Sequence, residues 1–271
     1  MSECERAAGS ESLDFRALAE RFDGPRVRAL ALMGSFARGD AGPYSDVDLV
    51  RFFEADTPVP DGETHIIAGR LVTVGSVGPA QVERWFTEPE AAVNAIRGLR
   101  TARVLIDRQE TFARIQARAL RFAWDEAMQA KADAWVSEQM VGWIEEVHKG
   151  LEGLRQDDVG RMLNARFGCS WGLARVMIVH RGVLLSGDNG FYDEIRAAVG
   201  PETAWSRACA GAFGVGGALT VRDQVRAGLR LYVLTARMVD AALRKDDRPL
   251  VMHTVALIEA ALGSEGEDVV G

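Results

Sequence analysis

The strongest constraint on the fold is a change of hydrophobic period part-way along the chain. Up to about Thr111 the apolar residues fall in short runs: VRALALM (27–33), VDLVRFF (47–53), THIIA (64–68), LVTVGSV (71–77) and ARVLID (102–107). Each is rich in Val, Ile, Leu or Phe and bounded by Gly, Pro or Asp, the pattern of β-strands. Only Gly69 and Arg70 separate the third run from the fourth, which predicts a hairpin. Residues 13–22 and 79–97 read as flanking helices, the second with proline in its first turn. Beyond Thr111 the strand signal stops. Val136, Met140, Trp143, Val147, Leu151 and Leu154 recur at steps of three or four, one helical stripe over 131–155, and similar patterns fill 161–185, 203–212, 218–245 and 250–262. SGDNG (186–190), VGP (199–201) and KDDRP (245–249) break them. The expected class is α+β: an N-terminal domain over residues 1–124 with a mixed sheet and flanking helices, then an all-α helical bundle over 125–271.

Composition narrows the function. Lys and Arg total 32 against 39 Asp and Glu, a net charge of -7, which offers no general field for a long nucleic acid. Cys4, Cys169 and Cys209 are too scattered for a disulfide framework or a zinc knuckle, and no histidine pair has zinc spacing, which fits a reducing cytoplasm. The N-terminus lacks an apolar signal core, and no apolar run approaches the roughly 18 residues of a membrane span. The first ten residues and the final SEGEDVVG read as loose ends.

The chemistry concentrates in ALALMGSFARGDAGPYSDVDLV. A strand leads to Gly34 and Ser35, a loop of about ten residues follows, and a second strand carries Asp46 and Asp48 two apart. A strand repeats every two residues, so both carboxylates share a face. Such a pair repels itself unless a divalent cation lies between, and Mg²⁺ takes one or two carboxylates together with phosphate oxygens and water. Gly34 lets backbone approach closely, the N–H groups around Ser35 suit a phosphate, and Arg38 adds a bidentate donor. The pattern therefore points to Mg²⁺ with a triphosphate.

GSFARGDAGPYSDVDL resembles the signature of polymerase-β-type nucleotidyltransferases. More narrowly, it is similar to the kanamycin (aminoglycoside 4′-O-) nucleotidyltransferases, where GS, an Arg three residues later and GPYSD occur together. The resemblance implies transfer of a nucleoside monophosphate to a hydroxyl of a small acceptor, Asp46 and Asp48 as catalytic metal ligands, and nucleotide contacts from Gly34, Ser35, Arg38 and Ser45. It also implies a homodimer. WIEEVHKGLEGL in the helical half resembles the first bundle helix of these enzymes, which makes Glu145 the general base and Lys149 a contact to phosphate or substrate. On a helix they lie opposite Val147, near Glu152, although Glu and Lys four apart are also a common solvated pair. HRGVLLSGDNGFYDEI (180–195) likewise resembles the end of a bundle helix in that family, and Trp171, Trp205, Tyr192 and Phe191 are candidates for an acceptor pocket or for core.

The chain departs from the superfamily at the third carboxylate. Aligning GRLVTVGSV on the strand that carries it places Thr73 at that metal position, with Asp61, Glu63 and His65 as substitutes earlier in the chain. If this strand pairs beside the one bearing Asp48, Leu71, Thr73 and Gly75 share one face and Val72, Val74 and Ser76 the other. Two alternatives stand beside the enzyme reading: a nucleotide-binding protein with little turnover, and a toxin–antitoxin component modifying a protein or RNA.

Overall fold

The computed structural model describes residues 13–55 and 58–264, so Cys4 and the two loose ends, apart from Ser264, lie outside the described residues. The chain divides into two compact units, one of residues 1–87 with 94–123 and one of 88–93 with 124–271.

The first unit is built on a five-stranded mixed sheet in the order β3-β4-β2-β1-β5. Its strands are β1 (Val27–Leu32), β2 (Val47–Phe53), β3 (Glu63–Ile67), β4 (Arg70–Val77) and β5 (Arg103–Asp107). β1 runs antiparallel to β2 and β5, β3 antiparallel to β4, and β2 parallel to β4. Leu30, Leu32, Val47, Leu49, Val72 and Val74 are buried on one face with Leu18 and Phe22 of α1 (Phe15–Phe22). Asp14 caps that helix by accepting from the N–H groups of Arg16 and Ala17. On the other face Phe52 meets Phe112 with ring centres 5.2 Å apart.

Several local expectations change. The hairpin turns at Ala68 and Gly69, both at positive φ, and Arg70 already belongs to β4, because two consecutive left-handed residues match the twist of the strands. Residues 79–97 are not one helix but α3 (Pro79–Thr87) and the start of α4 (Pro89–Thr101). Pro89 has no N–H to continue the ladder and disfavours helical backbone at Glu88, so the chain breaks there. The loop after Gly34 opens with a short helix, α2 (Gly34–Arg38), closed by Gly39 in the left-handed conformation.

The remaining helices are α5 (Thr111–Arg121) in the first unit and, in the second, α6 (Glu126–Gly142), α7 (Ile144–Gln156), α8 (Val159–Phe167), α9 (Leu173–His180), α10 (Phe191–Val199), α11 (Ala204–Phe213), α12 (Val221–Met238) and α13 (Arg248–Ser264). The stripe over 131–155 is interrupted at Trp143, between α6 and α7. A π-helical turn, Gly168–Gly172, joins α8 to α9. A Cβ on Gly172 would stand 2.3 Å from the Trp143 indole, so that ring packs against bare backbone. The core of this unit includes Met140, Leu173, Met177, Trp205 and Tyr232. Tyr232 keeps its hydroxyl satisfied by donating to the Met140 carbonyl at 2.9 Å.

Candidate active site

Asp48 lies in β2 directly opposite Thr73 of the parallel strand β4. Facing residues on paired strands project to the same side, and the Thr73 hydroxyl donates to Asp48 Oδ1 at 2.9 Å. Thr73 therefore stands beside the carboxylate. Glu63 and His65 pair with Val74 and Val72, on the opposite face of the sheet. They cannot replace a carboxylate at Thr73: Glu63 instead binds Arg51 at 2.7 Å and His65 at 3.0 Å. The His65 hydrogen bond, followed by Arg51, holds the Glu63 carboxyl below its ordinary range. Asp61 is exposed ahead of β3.

Gly34 has φ +63, and a Cβ built on it would fall 2.2 Å from Asp48 Oδ2. The residue is required twice, for its left-handed backbone and for the space the carboxylate fills. The Met33 N–H donates to the Asp48 carbonyl at 2.8 Å, which pins the start of α2 beside the same residue. No side chain caps the first turn of α2, where Ser35 and Phe36 sit. N–H groups at a helix start lack partners within the helix and suit an anion. Arg38 pairs with Asp40 at 3.1 Å. Ser45 accepts from the Gly42 N–H at 2.9 Å, folding GPYS into a turn just before the half-buried Asp46.

The donor set fits a divalent cation on these observations: Asp48 in a glycine cradle, Asp46 one residue ahead of the same strand, and the Thr73 hydroxyl beside Asp48. Among the described residues no three His, Cys, Asp or Glu side chains gather as a metal cage.

In the helical unit, Glu145 and Lys149 line a cavity of about 920 Å³ with His148, Glu152, Arg155 and Asn164. The Lys149 ammonium lies 2.9 Å from Glu145 and 2.8 Å from Glu146. Its hydrogen bond holds the Glu145 carboxyl below the usual glutamate range, and the two carboxylates in turn raise Lys149. Glu145 is 76% exposed, whereas Glu146 is largely buried against the π-helical turn. Val147, at the opposite side of α7, is fully buried.

The aromatic candidates separate. Trp171 and Phe191 line a second cavity of about 470 Å³ with Trp143 and Phe167. Trp205 is core at 2% exposure, its indole N–H donating to Thr235 at 2.9 Å. Tyr192 packs edge-on to Phe213. Helical spacing could not tell these fates apart, because it does not say which neighbour covers each ring. Sequence reading also passed over Arg70, whose guanidinium reaches back from β4 to the turn before Asp46.

One comparison with known proteins bears on the N-terminal part of the chain. The family model described as nucleotidyltransferase domain matches residues 15–97, less than half of the chain. Among solved structures, a nucleotidyltransferase-like protein from Exiguobacterium sibiricum aligns at 11% identity over 92% of this chain and 87% of that one, with a TM-score of 0.49. Comparison with curated proteins gives no match. Gly34, Ser35, Asp46, Asp48 and Thr73 thus all lie inside a segment that matches a nucleotidyltransferase domain.

Proposed function

We propose that this chain moves a nucleoside monophosphate, AMP from ATP, to a hydroxyl of a small acceptor of the aminoglycoside kind. The observation that carries the reading is the Asp48 carboxylate seated over Gly34, at the start of α2, within a nucleotidyltransferase domain match. Asp46 and Asp48 would hold Mg²⁺, which would neutralise negative charge on the triphosphate. The N–H groups at Ser35 and the Arg38 guanidinium bind and orient the phosphates, with Gly34 leaving room for the Asp48 carboxylate and Ser45 shaping the adjoining turn. The acceptor oxygen forms a bond to the α-phosphorus as the bond to pyrophosphate breaks. By resemblance, Glu145 would take the hydroxyl proton and Lys149 would steady negative charge. By resemblance alone, the working form is a cytoplasmic homodimer; no helix among the described residues is long and apolar enough to cross a membrane.

Thr73 favours a second reading, a nucleotide-binding protein with little turnover, since a hydroxyl brings no negative charge to the metal that activates the attacking oxygen. One experiment separates them. The protein is incubated with Mg²⁺, labelled nucleoside triphosphates and a panel of hydroxylated antibiotics, and pyrophosphate release is scored. Acceptor-dependent release that Asp46→Asn or Asp48→Asn abolishes, with melting temperature kept, supports the transferase. Nucleotide binding without release under any acceptor supports the second reading, and full turnover in either variant refutes the site.

A further inference from the structure

We infer that Arg70 is a positioning residue of the nucleotide site, a brace that holds the turn carrying Asp46 in register with Asp48. The inference rests on the metal-nucleotide reading given above. Arg70 opens β4, at the end of the hairpin, and its Nη1 lies 3.0 Å from the Gly42 carbonyl, 3.2 Å from that of Pro43 and 3.3 Å from that of Ser45. One nitrogen with two protons thus serves three acceptors, and the last of these is the carbonyl of the peptide bond that joins Ser45 to Asp46. The same guanidinium lies over the Phe36 ring, 5.3 Å from its centre, in the first turns of α2. Arg70 therefore touches both halves of the site, the helix start at Ser35 and Phe36 and the turn before Asp46.

The turn needs such a tie. Its own bonds join Gly42 to Ser45, from the Gly42 N–H to the Ser45 hydroxyl and from the Ser45 N–H to the Gly42 carbonyl. Tyr44 at its tip is 99% exposed and contributes no packing. A loop with so little buried apolar surface is ordered by its polar contacts, and hydrogen bonds from a charged donor are the stronger ones. Asp48, by contrast, is fixed by the sheet and by Thr73. A two-carboxylate metal site is only as tight as its looser member, so the position of Asp46 sets its affinity, and Arg70 sets that position.

The test measures binding of a non-hydrolysable ATP analogue against Mg²⁺ concentration for the full chain, Arg70→Met, Arg70→Lys and Asp46→Asn, beside amide exchange of residues 40–47 and melting temperature. Arg70→Met is expected to raise the Mg²⁺ needed for half-saturation about tenfold and to speed exchange in the turn, with melting nearly kept. Arg70→Lys, whose ammonium offers three protons but no planar face for Phe36, is expected to recover part of the loss. A role confined to stability would lower the melting temperature without shifting the metal dependence. Analogue binding at wild-type Mg²⁺ concentrations in Arg70→Met overturns the inference. If the unaltered chain binds no analogue at any Mg²⁺ concentration, the nucleotide reading itself fails and the inference falls with it.

Discussion

Replacing Gly34 with alanine puts a single methyl group where the structure has a carboxylate. The new Cβ would sit 2.2 Å from Asp48 Oδ2, whereas real Cβ contacts essentially never fall below 3.0 Å. Asp48 must retreat by about 1 Å, and in doing so it gives up the Thr73 hydroxyl at 2.9 Å. That hydrogen bond to a charged, partly exposed group is worth about 1.5 kcal/mol. Holding φ at +63 costs an L-residue roughly 1 kcal/mol more. The sum, about 2–3 kcal/mol, corresponds to a fall in melting temperature on the order of 5–10 °C, together with loss of Mg²⁺-dependent nucleotide binding. The decisive assay is a double-mutant cycle with Asp48→Ala, read by thermal or denaturant unfolding without metal. Once the carboxylate is gone, Gly34→Ala should cost only the backbone part, so the two changes should couple by about 1–2 kcal/mol. Additivity within about 0.5 kcal/mol would refute the claim that Gly34 is there to make room for Asp48.

Thr73→Glu places a third carboxylate against Asp48: without metal the repulsion should lower the melting temperature, and added Mg²⁺ or Mn²⁺ should restore it while less metal supports turnover. A melting temperature that metal does not raise would count against Thr73 as the vacant third position. Glu145→Gln should reduce kcat by about a hundredfold to ten-thousandfold with acceptor binding kept. Lys149 holds Glu145 below the usual glutamate range, so if Glu145 is the base it should stay ionised, and turnover should stay high, to a lower pH than an ordinary glutamate allows. Lys149→Met removes that bias, and the acid limb of the pH–rate profile should move upward; an unmoved limb would show that Glu145 is not the titrating base.

The five strands and the alternation that seats Asp48 were legible in the sequence because they depend on near neighbours: β-rich runs, the turn residues bounding them and the two-residue period. The same locality placed Thr73 on the face of Asp48 as soon as β4 was laid beside β2. The split at Glu88 and Pro89 was also written locally, in a proline that an otherwise continuous helical pattern outweighed in the reading. What the sequence could not decide were contacts between residues distant along it. Glu63 and His65 fall on the wrong face because β3 pairs antiparallel in a register that sets them opposite Val74 and Val72. Trp205 is buried while Trp171, equally well spaced on a helix, stays 48% exposed, because burial depends on which helices pack over a ring. Arg70 reads as an ordinary hairpin residue until tertiary folding brings the carbonyls of Gly42, Pro43 and Ser45 to its guanidinium. Periodicity records which side of an element a residue occupies; only the packed chain supplies the partner that gives that side its chemistry.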